Sequence, residues 1–265
     1  MALPTKLVRN AATLACGAVL AACASAPTDQ QLLASSTIVA ELPRENGALV
    51  EAARFSAGSP GKMPAGWKRY VASPFAPRTD YRLVAGNPHV VLEAHAEGSA
   101  SGLYRRVRFD PARYPFVEWR WRVVQPIAHA DPRVHARDDS PVRLVISFHG
   151  DASRLDIEER NTLRFYKALT GERLPYAILM YVWSKDAPAG TIASSTYSEK
   201  IKMIVVDGSE DGEWHDFRRN VLEDYRRAFG EDPWDIVSVG VMTDANNTRS
   251  RASAQYGDVT FRPAE

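Results

Sequence analysis

Cysteine is nearly absent, with two in 265 residues, which excludes a disulfide scaffold and a multi-cysteine zinc site. Neither charge sign dominates: 33 Lys and Arg stand against 32 Asp and Glu, a formal net charge of +1. The basic excess of a nucleic-acid-binding module is therefore missing. Long apolar runs are missing too, so no stretch reaches the roughly 20 residues a membrane-spanning helix needs. Familiar catalytic signatures are also lacking. Gly98-Ser99-Ala100-Ser101-Gly102 holds alanine where a nucleophile elbow needs serine. There is no Gly-rich phosphate loop and no HExxH, and no motif calls for a cofactor. These absences count against the common serine hydrolases, nucleotide enzymes and zincins. They leave room for a carboxylate-based glycosidase or lyase, whose residues need no fixed spacing. At 45% hydrophobic and 25% charged, the remainder has the composition of a globular body.

The first residues carry an export signal. Lys6 and Arg9 form a short positive start, and Ala11 to Ala22 follows as twelve residues without charge. That run fits the apolar centre of a secretory signal. It ends in Leu20-Ala21-Ala22-Cys23, which resembles the lipobox of bacterial lipoproteins. The resemblance implies cleavage before Cys23, acylation of its thiol and of the new amine, and anchoring in a membrane. Several acyl chains at roughly 0.8 kcal/mol per buried CH₂ make that anchor nearly permanent. Ala24, rather than Asp, follows the cysteine, which by the same resemblance implies the outer membrane, facing the periplasm. Residues 1–22 are thus expected to be a signal peptide, 23–36 a small, polar tether, and 37–265 one domain. The alternative is an ordinary secretory signal with a chance cysteine.

The body alternates as β-strands do. In Phe116 to Val124, Val117, Trp119, Trp121 and Val123 share one face, and Glu118, Arg120 and Arg122 the other. Leu103 to Phe109 and Val142 to His149 repeat the scheme. Val90–His95, Ala177–Trp183, Ile201–Val206, Ile236–Thr243 and Val259–Phe261 bring the expected strands to at least eight. Asp156 to Leu169 and Asp216 to Phe229 carry helical spacing instead, closed by Gly171 and Gly230. The pattern predicts a mainly β fold, a jelly-roll-like antiparallel sandwich with two inserted helices.

Several motifs occur in one order. They are Trp119-Arg120-Trp121, Asp138-Asp139-Ser140, Tyr181-Val182-Trp183, Arg219-Asn220-Val221 with Asp224-Tyr225, Phe229-Gly230, Thr243-Asp244 with Asn246-Asn247-Thr248, and Tyr256-Gly257-Asp258. Their order resembles the bacterial domain-of-unknown-function family numbered 3047, over about residues 63 to 262. This chain has Thr196 and Ala245 where the family pattern has Asn and an acid. The resemblance implies no activity.

Three features could bind or react. His129, Asp131, His135, Asp138 and Asp139 fall within eleven residues. Should several of them converge on a metal, Asp138, Asp139 and His135 are the candidate ligands; the plainer reading is a loop whose acids cap backbone amides. Asp244 and Asn246 open a polar run after an apolar strand, either as a turn or as a ligand-contacting loop. The third feature is conditional. If the strands holding them are neighbours, Arg106, Arg108, Arg120, Arg122 and Arg143 share one face with Glu118. Guanidinium forks bind carboxylates and phosphates and stack on flat rings, so such a face would suit an anionic glycan; alternatively its arginines pair with acids such as Glu93. Trp119 and Trp121 belong with the core, whereas Trp183, Trp214 and Trp234 lie near element ends, and Trp183 is favoured as a contact. The leading expectation is non-catalytic binding of an anionic polysaccharide. A glycan hydrolase or lyase with paired acids from Asp138, Asp139, Asp224 and Asp244 stands as one alternative. An assembly lipoprotein that binds another envelope protein is the other.

Overall fold

The computed structural model describes residues 49–71, 77–170 and 174–264. The signal segment, Cys23, the tether and Gly171 lie outside the described residues, which all fall in one compact unit, Ala40–Glu265. In chain order the strands begin with β1 (Val50–Ala53), β2 (Lys68–Val71), β3 (Asp80–Val84), β4 (Val91–Glu97) and β5 (Ala100–Phe109). They continue with β6 (Phe116–Gln125), β7 (Arg143–Phe148), β8 (Ala177–Trp183), β9 (Ile192–Ser195) and β10 (Ser198–Asp207). β11 (Trp214–Asn220), β12 (Ile236–Asp244) and β13 (Arg251–Arg262) complete them, with helices α1 (Ile157–Thr170) and α2 (Val221–Phe229) inserted. Among the described residues no helix is long and apolar enough to cross a membrane.

Two sheets result. One has six strands in the order β11-β6-β13-β4-β3, with β1 on the far end of β13; the other runs β2-β5-β12-β7-β8-β10-β9. The alternation in β6 explains the packing. Val117, Trp119, Trp121 and Val123 are buried, while the residues between them are half-exposed. Trp119 stacks on Tyr181 of the opposite sheet at 4.9 Å, and Phe109 meets Phe261 across the same interior at 4.8 Å. Rings that cross the layers in this way add to area burial and fix the two sheets face to face. The chain is a mainly β sandwich with two inserted helices. One refinement is that β8 and β10 pair in parallel, whereas the other ladders are antiparallel.

Two expectations need correction. The helix predicted over Asp216 to Phe229 begins only at Val221, because Trp214–Asn220 pairs with β6 along its whole length. Asn220 then caps α2, its side chain accepting from the Glu223 amide at 3.1 Å. The last strand is also longer than Val259–Phe261: a bulge between Tyr256 and Val259 resets the alternation, and small residues before it hide the pattern.

Candidate functional site

The two polar loop motifs bind each other. Asp139 accepts the amides of Asn247 (3.2 Å) and Thr248 (2.7 Å), and the Thr248 hydroxyl at 2.6 Å. Asn247 in turn donates to Asp138 Oδ1 and, at 3.0 Å, to the His135 carbonyl. Asp244 accepts the Ser140 amide at 3.0 Å and a bidentate Arg143, at 2.9 and 3.0 Å. Arg143 also donates to the Asp138 carbonyl. Burial opposes the charge on Arg143, but Asp244, Asp138 and Asp139 outweigh it and hold its pKa above the ordinary value. Burial, with the charge of Asp139, pushes Asp244 up to about 6 against the pull of Arg143.

This network corrects several expectations. Arg143 is only 5% exposed and serves a buried ion pair, not an open arginine face. Asp244 is buried in the same pair, and half-buried Asn246 donates to Asn247 at 2.7 Å within its turn. Exposed His135 lies 3.7 Å from Asp138 and 2.9 Å from the Thr196 hydroxyl, while Asp131 is held by Arg133. Among the described residues, no group of three His, Cys, Asp or Glu could hold a metal ion. Asp224 stands apart from the other three acids, bonded to Tyr181, Arg219 and Arg227. Trp183 is fully buried, with its indole N–H on the Ser209 carbonyl at 2.8 Å, so it offers no surface to a ligand.

The remaining arginines separate. Arg106 and Arg108 sit on β5, on the outer face of the seven-stranded sheet, where Arg108 pairs with Asp235 at 2.8 Å. Arg120 and Arg122 sit on β6, on the outer face of the other sheet. The conditional arginine face is thus divided between opposite sides of the sandwich, because β6 neighbours β11 and β13 rather than β5 and β7.

The β6–β11 face forms a groove. Register sets Arg122 beside Trp214, Arg120 beside Asp216, and Glu118 beside Arg218. Glu118, Arg120, Asp216, Arg218, Asp258 and Thr260 line a groove of about 410 Å³. Arg120 lies over the Trp214 ring, 4.6 Å from its centroid. Gly257 makes this possible: a Cβ there would come within 2.6 Å of the Arg120 side chain. Glu118 is occupied by Arg262 at 2.5 Å and Arg218 at 3.6 Å, and Asp258 by the Ser56 amide and hydroxyl. Arg122 donates to the Gly212 carbonyl. Among the described residues, neither Arg120 nor Arg122 has a carboxylate partner. Asp216, Arg218 and Asp258 escaped the sequence reading. Alternation across Trp214, Asp216 and Arg218 is their signal once that stretch is read as a strand.

Fold and groove together define a β-sandwich protein with a charged, aromatic-edged sheet face. The model for the family "Protein of unknown function (DUF3047)" matches residues 65–260, and the chain belongs to that family. No curated relative matches the sequence. Among solved structures, a family 11 carbohydrate-binding module of a cellulosomal cellulase from Clostridium thermocellum is similar at 12% identity and a TM-score of 0.40. That match covers 79% of this chain and 97% of the module. The xyloglucanase domain of the effector NopAA from Sinorhizobium fredii is similar at 8% identity and a TM-score of 0.42, covering 80% of this chain and all of that one. Overlaps this loose carry neither specificity nor chemistry to this chain.

Proposed function

We propose that this protein is a lipid-anchored cell-envelope protein that binds an anionic polysaccharide, without catalysis, on its β6–β11 face. One observation carries the reading: among the described residues, Arg120 and Arg122 lack carboxylate partners on a sheet face where Arg82, Arg218, Arg251 and Arg262 all have them. Surface guanidiniums on a mixed-charge sheet ordinarily find cross-strand acids. Two left without, beside an indole and a groove, suit the carboxylate or phosphate groups of an acidic glycan, which the planar fork binds in bidentate fashion. Strands hold these groups in place before binding, which lowers the ordering cost. The segment Leu20 to Cys23 supports anchoring by acylation, and Ala24 supports the outer membrane.

Calorimetric titration of the full chain in detergent with acidic and neutral oligosaccharides tests this. The parent should bind the acidic ligand, and Arg120→Ala/Arg122→Ala should weaken it tenfold or more, since hydrogen bonds to charged groups contribute about 1.5–3 kcal/mol each. Equal affinity in parent and variant would sink the assignment.

A further inference from the structure

A second groove, of about 290 Å³, lies where β11 passes into α2, lined by Arg218, Arg219, Asn220, Glu223, Asp224 and Arg227. Its geometry is organised from beneath. Asp224 is 4% exposed, and its Oδ2 accepts the hydroxyl of fully buried Tyr181, from the opposite sheet, at 2.9 Å. Burial and the charge of Asp224 push the Tyr181 hydroxyl well above its ordinary pKa, so it remains a donor. Arg219 forks onto Asp224 through Nε at 2.9 Å and Nη2 at 2.6 Å. Arg227, from the other side of the groove's floor, places one Nη2 on Oδ1 at 3.0 Å.

Two guanidiniums from two elements therefore converge on one carboxylate. A buried carboxylate needs one cation to balance it, and here a second guanidinium reaches the same carboxylate. Three arginines line the groove against Asp224 and Glu223, and Arg218 also faces Glu118 at 3.6 Å. Each guanidinium has five N–H donors; Arg219 commits two nitrogens to Asp224, and Arg227 one. Both side chains keep an open side, with exposures of 33% and 51%. A carboxylate that fixes arginine forks from behind leaves their outer edges set for an oxyanion.

We propose that this groove binds an oxyanion, a phosphate, sulfate or carboxylate group, gripped by Arg219 and Arg227, with Asp224 as the residue that positions them. The proposal stands apart from the glycan reading, since the groove lined by Arg120 and Asp216 shares only Arg218 with it.

Thermal unfolding of the full chain in detergent, titrated with inorganic phosphate, sulfate or acetate at matched ionic strength, tests it. A specific anion raises the midpoint steeply near its Kd and then logarithmically, following RT ln(1 + [L]/Kd), whereas general salt stabilisation rises in proportion to concentration. A logarithmic rise with phosphate and sulfate alone indicates a tetrahedral ligand, and with acetate a carboxylate. The dissociation constant should rise at least tenfold in Arg227→Ala, rise less in Arg227→Lys, and stay unchanged in Arg120→Ala/Arg122→Ala. The lysine variant keeps the charge and decides the matter should the alanine variant fold poorly. A rise linear in anion concentration in the parent, or an equal constant in parent and Arg227→Lys, overturns the proposal. So does a loss confined to Arg120→Ala/Arg122→Ala, which would move the anion to the other groove.

Discussion

Arg143 and Trp183, expected as surface contacts, are both interior. Strand alternation correctly gives Arg143 the outer face of its sheet, but alternation does not reveal what covers that face. A small second core of Val182, Ala187, Ala193, Met203 and Val205 forms there, with Met180 packed against it. Met203 and Met180 lie 3.2 and 3.8 Å from the guanidinium. The arginine is buried with Asp244 because chain from elsewhere folds over it. Removing one partner of a buried pair leaves the other charge uncompensated, at a cost of about 3–5 kcal/mol. Arg143→Met should therefore destabilise by that amount at pH 7 in chemical denaturation. Asp244 titrates near 6 in the folded chain, above the ordinary 3.9 of an unfolded Asp. The native state thus binds the extra proton, and this group's contribution to stability falls as pH rises from about 4 through 6. Loss of Arg143 removes the largest interaction opposing that rise, so the deficit of the variant should shrink towards pH 4. A deficit independent of pH would contradict the network.

Elements with strong alternation were legible, and those at edges were not. β6, with four buried apolar residues in step, announces itself. β11 does not, because Phe217 sits inward both on a strand and on the helical stripe with Val221 and Tyr225. Only the pairing with β6 decides between the two. The error mattered for the site, since a helix over 216–229 hides the row Trp214, Asp216, Arg218 that borders the groove. The end of α2 was legible for a firm reason: Gly230 adopts φ +71°, a left-handed cap that disfavours a side chain. Gly230→Ala should cost about 1–2 kcal/mol while leaving the Arg120 groove, on other elements, with unchanged ligand affinity. Equal stability to the parent would show that the cap relaxes without strain. The loops between Asp138 and Thr248 were legible as polar motifs, but not as partners, because sequence separation conceals which loop meets which.

At the scale of the whole molecule, sequence order misleads about neighbours. β5, β6 and β7 follow one another in the chain, yet β6 belongs to the other sheet. That single assignment divides the arginines and leaves Arg120 lining a groove, with Arg122 beside Trp214 on the same face. The anchor lies at the other end of the proposal. Cys23→Ser should move the protein from the membrane fraction to the soluble periplasmic fraction and abolish labelling by a clickable fatty acid; retention and labelling together would remove the lipoprotein assignment. The glycan site itself is tested most directly by the six tryptophan indole N–H resonances, with Trp214 assigned through Trp214→Phe. Titration with an acidic oligosaccharide should shift the Trp214 resonance along a saturating curve. Buried Trp121 and Trp183 should stay in place, and a neutral oligosaccharide should move none of the three. A Trp214 resonance that does not move at saturating acidic ligand would contradict the assignment of the β6–β11 face.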